Sequence, residues 1–328
     1  MMHESFSYMS RTLVTEPFHD KKLLESIWGK TWGITNPVGK VKQILMHRPG
    51  SEVNRLEKYS AQIESGPMLL NQIKGNFSIN SMPQSPDLER LQQQHDALAD
   101  ALRKEGAEII YLEDHENAWP EMMFTRDLGM VVPGGVILSR FALYIRYGET
   151  RLAAQKISEA GMPILGMVQG MGFAEGGSFT MLDPQTAVVG TSERVNAAGV
   201  DQIRQILSFQ GIRLIAVDLP ASIIHLDEAF LMVDQQKALV NISLLPFWFI
   251  DELHSRDIEL LHVDPRDPVL TINGIAASPG RVICASGGSY TIDLLSKNGV
   301  EVIPVDISEI VKMGGGIHCC TLPLERKG

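Results

Sequence analysis

The chain has 328 residues, of which 44% are hydrophobic, so it can form a sizeable core and is not expected to be disordered. Its formal net charge of -10 argues against a nucleic-acid binder, which would carry a basic surface. Three cysteines and the lack of any apolar run near 18 residues predict a protein of a reducing compartment, cytoplasmic and without a membrane span.

The beginning of the chain is expected to lie outside the main domain. The first residues, MMHESFSYMSRTLV, lack the apolar stretch of a signal peptide. A repeated pattern starts near residue 41, which predicts an N-terminal extension over residues 1–40 and a single domain over residues 41–328. The segment at about 55–85 interrupts the first repeat and is predicted to be a short insertion.

A helix-like stretch, a glycine and a short β run recur five times. The glycine position falls at residues 106, 161, 211, 257 and 299, and Asp257 is the one exception to glycine. A helix often ends at a residue in the left-handed conformation, which glycine adopts without strain. The stretch DLERLQQQHDALADALRKEG illustrates the helical part, with Leu91, Leu98 and Leu102 at near-helical spacing.

Two further β-like stretches separated by a turn, as in FTMLDPQTAVVG, precede a helix, so each module is predicted to be β–β–α–β. A single module could not bury its own apolar face. We therefore predict an α/β fold in which five modules form a five-fold pseudosymmetric, propeller-like barrel. An ordinary α/β sheet with coincidental spacing is the alternative. The apolar run LLPFWFI at 244–250 is predicted to be buried core, or a subunit contact in a homo-oligomer.

Reactive side chains follow the β runs of four modules. They are Asp127 in FTRD, Glu175 in EGG, His225 and Asp227 in HLD, and Cys319 beside Cys320 near the C-terminus. Each has an ordinary structural explanation by itself, such as a turn carboxylate, a core histidine or a small buried thiol. Their matching positions in the modules predict that they meet at one site near the axis.

These groups favour attack on a guanidino or amidino carbon. A thiolate is a strong nucleophile, and a histidine can protonate a leaving amine and then activate water. Several carboxylates suit a planar cation with paired N–H donors, as in guanidinium. Attack on a carbonyl would require hydrogen-bond donors for an oxyanion instead.

A metal site is the weaker interpretation of the same residues. His318, Cys319 and Cys320 are consecutive, whereas zinc ligands are usually separated by two or more residues. In a β segment the two cysteines would face opposite sides, which favours one reactive and one packed thiol. A manganese ureohydrolase is therefore the less favoured route to this chemistry, and we predict neither a metal nor another cofactor.

The motifs FTRD, EGG, HLD followed by MVD, and a glycine run before HC-x-T resemble those of the guanidino-group-modifying superfamily. Arginine deiminase, dimethylarginine dimethylaminohydrolase and glycine amidinotransferase belong to it. The resemblance covers residues 40–328 and is strongest to arginine deiminase. It implies the five-module propeller-like fold, a small guanidino amino-acid substrate, and no nucleic-acid or membrane partner.

The resemblance also implies roles for individual residues. By position, Cys319 matches the nucleophile and His225 the general acid/base. Asp127 and Asp227 match the carboxylates that bind the guanidinium, and Glu175 lies beside the histidine.

Five further positions match residues that contact the substrate. Arg146 and Arg194 match a pair of arginines that holds the substrate carboxylate. Glu121, Phe124 and Gly316 match positions at the substrate. Two positions depart from the family pattern: Ser178 replaces an aspartate after EGG, and Glu121, one of the five, replaces an asparagine.

The implied activity is hydrolysis of the guanidino group of arginine or a close derivative, without a metal, through a covalent thiouronium intermediate on Cys319. An amidinotransferase that passes the same intermediate to an amine is the first alternative. A binding or scaffold protein without activity is the second.

Overall fold

The computed structural model describes residues 21–55, 86–113 and 119–328. Residues 1–20 of the predicted extension and almost all of the predicted insertion at 55–85 lie outside these ranges. Within them the chain forms six α-helices: α1 Lys21–Trp28, α2 Leu88–Lys104, α3 Glu149–Glu159, α4 Ala197–Ser208, α5 Phe247–His254 and α6 Ser289–Lys297.

Fifteen strands accompany these helices in the described ranges. They are β1 Lys40–Met46, β2 Glu108–Tyr111, β3 Gly129–Val132, β4 Gly135–Leu138, β5 Ile164–Met167, β6 Phe179–Asp183, β7 Thr186–Thr191, β8 Arg213–Asp218, β9 Phe230–Asp234, β10 Lys237–Val240, β11 Glu259–His262, β12 Ile275–Ser278, β13 Arg281–Ala285, β14 Glu301–Val305 and β15 Leu322–Lys327.

The strands form five three-stranded mixed sheets: β15-β1-β2, β3-β4-β5, β6-β7-β8, β9-β10-β11 and β12-β13-β14. In each sheet the central strand pairs antiparallel with one neighbour and parallel with the other. The parallel pair is joined through a helix, as a crossover requires. The predicted β–β–α–β module is confirmed, and the α/β fold class with it.

The first sheet differs from the others in its connectivity. Its strand β15 comes from the C-terminal end and pairs with β1, whose Leu45 lies opposite Leu322. The two ends of the domain therefore complete one module together.

The five predicted helix ends adopt the left-handed conformation. The φ angles are 91° at Gly106, 81° at Gly161, 68° at Gly211, 57° at Asp257 and 78° at Gly299. Asp257 is the one non-glycine residue with positive φ in the described part of the chain. Aspartate tolerates this conformation better than most residues, which explains how the fourth module keeps the turn.

Helix α2 shows why these sequences form amphipathic helices. The Asp87 side chain accepts a hydrogen bond from the backbone N–H of Arg90 at 3.2 Å and so caps the first turn. Leu91, Leu98 and Leu102 are fully buried, as the spacing predicts. The helix therefore covers one face of its module.

The run at 244–250 is only partly core. Leu245, Phe249 and Ile250 are buried, whereas Phe247 and Trp248 remain 83% and 48% exposed. Helix α5 thus turns one apolar face inward, and the predicted subunit contact stays a prediction. Across the described ranges no helix is both long enough and apolar enough to cross a membrane.

Neighbouring sheets touch in a consistent order. Strand β12 contacts β1 and β9, and strand β3 contacts β6 and β15. The third and fourth sheets meet through the short turns Gly176–Ser178 and Leu226–Glu228, which precede β6 and β9. These turns also position the side chains described next.

Candidate active site

A single turn of 3₁₀-helix precedes the first strand of each of four sheets. The turns are Thr125–Leu128, Gly176–Ser178, Leu226–Glu228 and Val269–Ile272. Asp127 lies in the first, Glu175 and His225 directly precede the second and third, and Asp227 lies in the third. Because successive turns contact one another, side chains that are far apart in sequence meet in one buried cluster.

His225 lies between two carboxylates. Its Nε2 is 2.9 Å from Glu175 Oε2, and its Nδ1 is 3.6 Å from Asp127 Oδ1. Burial alone would lower the pKa of His225, but Asp127, Glu175 and Asp227 outweigh burial and raise that pKa to about 9. The ring is therefore an imidazolium at neutral pH and can act as a proton donor.

Glu175 is held ionised by its neighbours. Its Oε2 lies 3.0 Å from Arg194 Nη1 as well as beside His225. Burial would raise the pKa of Glu175, but Arg194 and His225 lower it to about 2. Arg194 is itself buried, and its Nε has no partner among the described residues.

Asp127 is fixed by Arg146 and by the backbone. Its Oδ2 accepts a hydrogen bond from Arg146 Nη1 at 2.5 Å, and its Oδ1 accepts the Gly177 N–H at 3.0 Å. These contacts orient the carboxylate toward the His225 ring.

The remaining donors of Arg146 are largely engaged by the protein. Glu149 accepts hydrogen bonds from its Nε and Nη2 at 3.0 and 2.8 Å, and the Phe124 carbonyl accepts another at 3.0 Å. Glu121 Oε2 lies 3.5 Å from its Nε. The predicted role of Arg146 as a ligand of a substrate carboxylate stays a prediction, and this geometry favours a different role, the positioning of Asp127.

Asp227 keeps one oxygen available. Its Oδ2 lies 2.7 Å from His318 Nδ1, whereas its Oδ1 is buried without a hydrogen-bond partner in the described ranges. Burial would raise the pKa of Asp227, but its contacts with His318, His225 and Arg126 lower that pKa. Asp227 is thus an ionised carboxylate with an unused acceptor, which suits an N–H donor of a bound cation.

Cys319 lies in a turn rather than in a strand. The Cys320 N–H donates to the Gly316 carbonyl at 3.2 Å, the Thr321 N–H donates to the His318 carbonyl at 3.0 Å, and β15 begins only at Leu322. The expectation of a strand-like segment at the two cysteines is therefore wrong. The two thiols are separated by the geometry of this hydrogen-bonded turn, not by the alternation of side chains along a β-strand.

The Cys319 thiol is buried, and the carboxylates of Asp227 and Asp127 lie near it. Burial, Asp227 and Asp127 raise the pKa of Cys319 well above its ordinary value, and a backbone hydrogen bond from Gly316 opposes this only in part. The thiol is consequently neutral at rest. A cation placed between the two aspartates would offset their charge and favour the thiolate.

Close backbone packing explains the glycines of the site. A Cβ on Gly177 would come within 2.7 Å of Asp127 Oδ1 and 2.8 Å of His225 Nδ1. A Cβ on Gly316 would come within 2.6 Å of Asn273 Oδ1. Phe124 is buried, and its ring packs against Gly315. Ser178, which replaces an aspartate of the family pattern, is buried too, and its Oγ has no partner within the part described.

Asn273 is the residue that the sequence analysis missed. It follows the turn of the fourth module, which contributed no candidate. Its Oδ1 accepts the Cys319 N–H at 3.1 Å, and its carbonyl accepts the His318 N–H at 3.1 Å. Its position just before β12 matches that of the other site residues, so the repeat itself is the signal that could have revealed it.

Three residues of the cluster are close enough together to be considered as ligands of a metal ion. Asp127, Glu175 and His225 offer ligand atoms that lie within 4.8 Å of one another. However, Arg146 binds Asp127, Arg194 binds Glu175, and His225 is protonated at neutral pH. A divalent ion would have to displace or repel three cations, so the charges disfavour it.

A fold of five mixed modules and a buried thiol–imidazolium–carboxylate cluster define a class of enzyme that acts on guanidino groups. Comparison with known proteins gives the same class. The family model described as N,N dimethylarginine dimethylhydrolase, eukaryotic, matches residues 71–268, and the model for arginine deiminase matches residues 270–326. The chain belongs to the guanidino-group-modifying superfamily that includes these two enzyme families.

Individual proteins are also similar to this chain. The uncharacterized protein YkgA of Bacillus subtilis is 31% identical over 235 residues, which are 71% of this chain and 79% of YkgA. Two solved structures share the fold. Dimethylarginine dimethylaminohydrolase from Pseudomonas aeruginosa, a cysteine-to-serine mutant complexed with citrulline, has a TM-score of 0.69 at 22% identity, covering 86% of this chain and 99% of that one. The amidinotransferase SxtG from Microseira wollei has a TM-score of 0.70 at 14% identity, covering 90% and 98%.

Proposed function

We propose that the protein is a metal-independent thiol hydrolase that acts on the guanidino group of arginine or a close derivative. The observation that carries this proposal is the buried Cys319 thiol, whose pKa is raised by Asp227 and Asp127, in one cluster with His225, whose pKa is raised to about 9. Such a site gains a nucleophile when a cation binds, and it already holds the acid that the reaction needs.

The reaction proceeds in two halves. The guanidinium lies between Asp127 and the free Oδ1 of Asp227, which lowers the pKa of Cys319, and the thiol proton passes to water. The thiolate forms a bond to the central guanidinium carbon. His225 gives its proton to one nitrogen, and the carbon–nitrogen bond breaks to release ammonia or an amine. A thiouronium remains on Cys319.

Water completes the cycle. The neutral His225 accepts a proton from water, which attacks the thiouronium carbon. The carbon–sulfur bond breaks, the thiolate leaves, and a ureido product forms. Asp127 and Glu175 stabilise the imidazolium form of His225 at both ring nitrogens, and the Cys319 N–H is held by Asn273 throughout.

Substrate recognition beyond the guanidinium falls to Arg194 in this proposal. Its Nε is buried without a described partner, so it can meet a substrate carboxylate at little cost, whereas Arg146 is engaged by Glu149, Asp127 and Phe124. Glu121 serves to neutralise Arg146. Phe124 and Gly316 form the wall beside the thiol.

We further propose that the five sheets surround one axis as a propeller-like barrel, with residues 41–328 acting as one catalytic domain. The order of contacts between sheets supports this arrangement because it returns to its starting point. The turns that hold the site would then lie around the axis, and the ring itself would bring the four modules together.

A substrate panel with product mass spectrometry tests the activity. Arginine, methylarginines, agmatine and guanidino acids are each incubated with enzyme and a chelator, with and without an amine acceptor. We expect a ureido product and release of ammonia or an amine without any acceptor. Product formed only when an amine is added would assign the protein as an amidinotransferase instead. Turnover that needs added metal would refute the thiol mechanism.

The same panel tests Arg194. Arginine should react at least about tenfold faster than agmatine, judged by kcat/KM, because agmatine leaves the Arg194 donors unpaired. Arg194→Met should bring this ratio close to one, while Arg204→Met on the exposed face of α4 should leave it unchanged. A ratio that survives in Arg194→Met would show that another group binds the carboxylate.

A further inference from the structure

A small cavity adjoins the thiol cluster described above, and Asp227, His318 and Gly177 are among the residues that line it. Its volume is about 40 Å³, enough for a small ion or one or two waters. The polar part of its wall consists of Arg126, Arg326, Asp227 and His318, and the rest is apolar, with Phe179 and Met232 among it. Two arginines therefore point toward the same confined space.

Neither arginine has an acidic partner at ion-pair distance in the ranges 21–55, 86–113 and 119–328. Arg126 is buried, donates from Nη2 to the Phe179 carbonyl at 2.8 Å, and has an unpartnered buried Nε. Arg326 donates from Nη1 to the carbonyls of Gly39 and Ala276, both at 2.7 Å. In the described ranges, the hydrogen-bond acceptors of both guanidinium groups are backbone carbonyls, and Arg326 is half-buried.

The electrostatics at this place are unfavourable without a counter-ion. Burial lowers the pKa of Arg326 to about 9, and repulsion from Arg126 adds to this. Burial also lowers the pKa of Arg126, despite the attraction of Asp227 and Asp127. Holding a buried and a half-buried guanidinium beside the same largely apolar wall costs free energy that an anion between them would recover.

We propose that this cavity is a binding site for one small inorganic monoanion, of the size of chloride or bromide. The charges fix its valence, because two guanidinium groups and one Asp227 carboxylate leave a single positive charge. The volume of the cavity limits the size of the anion. The Oδ2 atom of Asp227 is occupied by His318 Nδ1 at 2.7 Å, so the anion would lie on the arginine side of the cavity.

The site is separate from the proposed reaction. It takes an anion where the reaction takes a guanidinium, and it uses Arg126 and Arg326, which have no step in the mechanism. Asp227 lines this cavity and also takes part in the proposed reaction. An anion here would hold Arg126 in place, in the same turn as Asp127 and near Asp227 of the third turn.

Bromide is the probe, because its anomalous scattering identifies it directly. Crystals of the full chain soaked in sodium bromide should show an anomalous peak between the Arg126 and Arg326 guanidinium groups. In solution, bromide or chloride should raise the midpoint of thermal unfolding by about 2 °C or more over gluconate. The comparison is made at equal ionic strength of about 0.1 M, so that general screening cancels. Sulfate, which is larger and divalent, should behave like gluconate.

Variants separate this site from other halide effects. Arg326→Met should lose more than half of the bromide shift, and Arg326→Lys should keep more of it than Arg326→Met. Arg204→Met, which removes an exposed arginine elsewhere, should keep the full shift. Equal shifts in Arg326→Met and the wild type, or a cavity without an anomalous peak, would overturn the proposal. If Arg326→Met does not fold, the anomalous map and Arg326→Lys still decide the outcome. None of these readouts depends on catalytic activity.

Discussion

Cys319 and Cys320 are adjacent and buried, yet their surroundings differ. The pKa of Cys319 is raised by burial together with Asp227 and Asp127, and a Gly316 backbone hydrogen bond opposes the rise. The pKa of Cys320 is raised by burial and Asp127 alone, although both thiols pack in the same apolar cluster with Ile44 and Met123. A cation bound between the aspartates would activate the first thiol and leave the second one packed.

Cys319→Ser should therefore lower kcat by about a thousandfold or more, since it removes the nucleophile. Cys320→Ala should keep kcat within a few-fold and lower the free energy of unfolding by about 1 kcal/mol. Cys284→Ala, at a buried thiol on β13, is the matched control. Steady-state kinetics and urea unfolding measure both effects, and retained turnover in Cys319→Ser would assign the nucleophile elsewhere.

The second prediction concerns the pH dependence of kcat/KM, which follows from the pKa of His225. Its pKa is raised from 6.5 to about 9, so the proton-donating form is present at neutral pH and is lost as pH rises through about 9. We expect kcat/KM to fall along a basic limb near pH 9. The stability that His225 gains from its carboxylates follows the same sign: it is full below about pH 6.5 and disappears as pH rises through about 9.

Glu175→Gln tests the cause of that limb. It removes one of the two carboxylates that contact the ring, so the basic limb should move down by about one pH unit. Glu149→Gln, which alters a carboxylate on Arg146 rather than on the ring, should move the limb less. A limb that stays at pH 9 in Glu175→Gln would mean that another group titrates there.

At the scale of single elements, the 3₁₀ turn at Gly176–Ser178 fixes the distance between Asp127 and His225. Its Gly177 donates its N–H to Asp127 Oδ1 at 3.0 Å and lies against the His225 ring. Gly177→Ala would place a Cβ within 2.8 Å of both side chains, so Asp127 or His225 must move. Because small displacements of catalytic groups reduce rates strongly, kcat should fall by about a hundredfold.

Gly287→Ala is the control for this variant. A Cβ at Gly287 meets only Pro268 Cγ at 3.9 Å, and the backbone there is not left-handed. It should leave kcat unchanged. Equal effects of the two substitutions would point to loss of glycine flexibility in general rather than to the contacts of Gly177.

The modules are the part of this protein that sequence predicts best. Glycines at four of five helix ends have a local cause, the left-handed turn, and therefore appear in the sequence directly. The roles of Arg146 and Asn273 have no such local cause. Arg146 is engaged by Glu149 and Asp127 through folding, and Asn273 reaches Cys319 across 46 residues. The turn at Cys319 was mistaken for a strand because apolar residues follow it closely.

At the scale of the whole molecule, strand β15 connects the end of the chain to its beginning. It pairs with β1, and Leu322 and Leu324 are fully buried within the core. Cys319 lies three residues before this strand, so the position of the nucleophile depends on the first sheet being complete. Pairing over such a long sequence separation forms only together with the rest of the fold.

Leu324→Ala should consequently destabilise the whole protein by about 2–5 kcal/mol, as deletion of a fully buried leucine does. Phe209→Ala, at an apolar side chain that is 68% exposed, should change the free energy of unfolding by less than about 0.5 kcal/mol. In urea, loss of activity and loss of circular dichroism should coincide in Leu324→Ala, because the strand and the site belong to one cooperative unit. Activity lost at a lower urea concentration than the circular dichroism would show instead that the first sheet opens by itself and takes Cys319 with it.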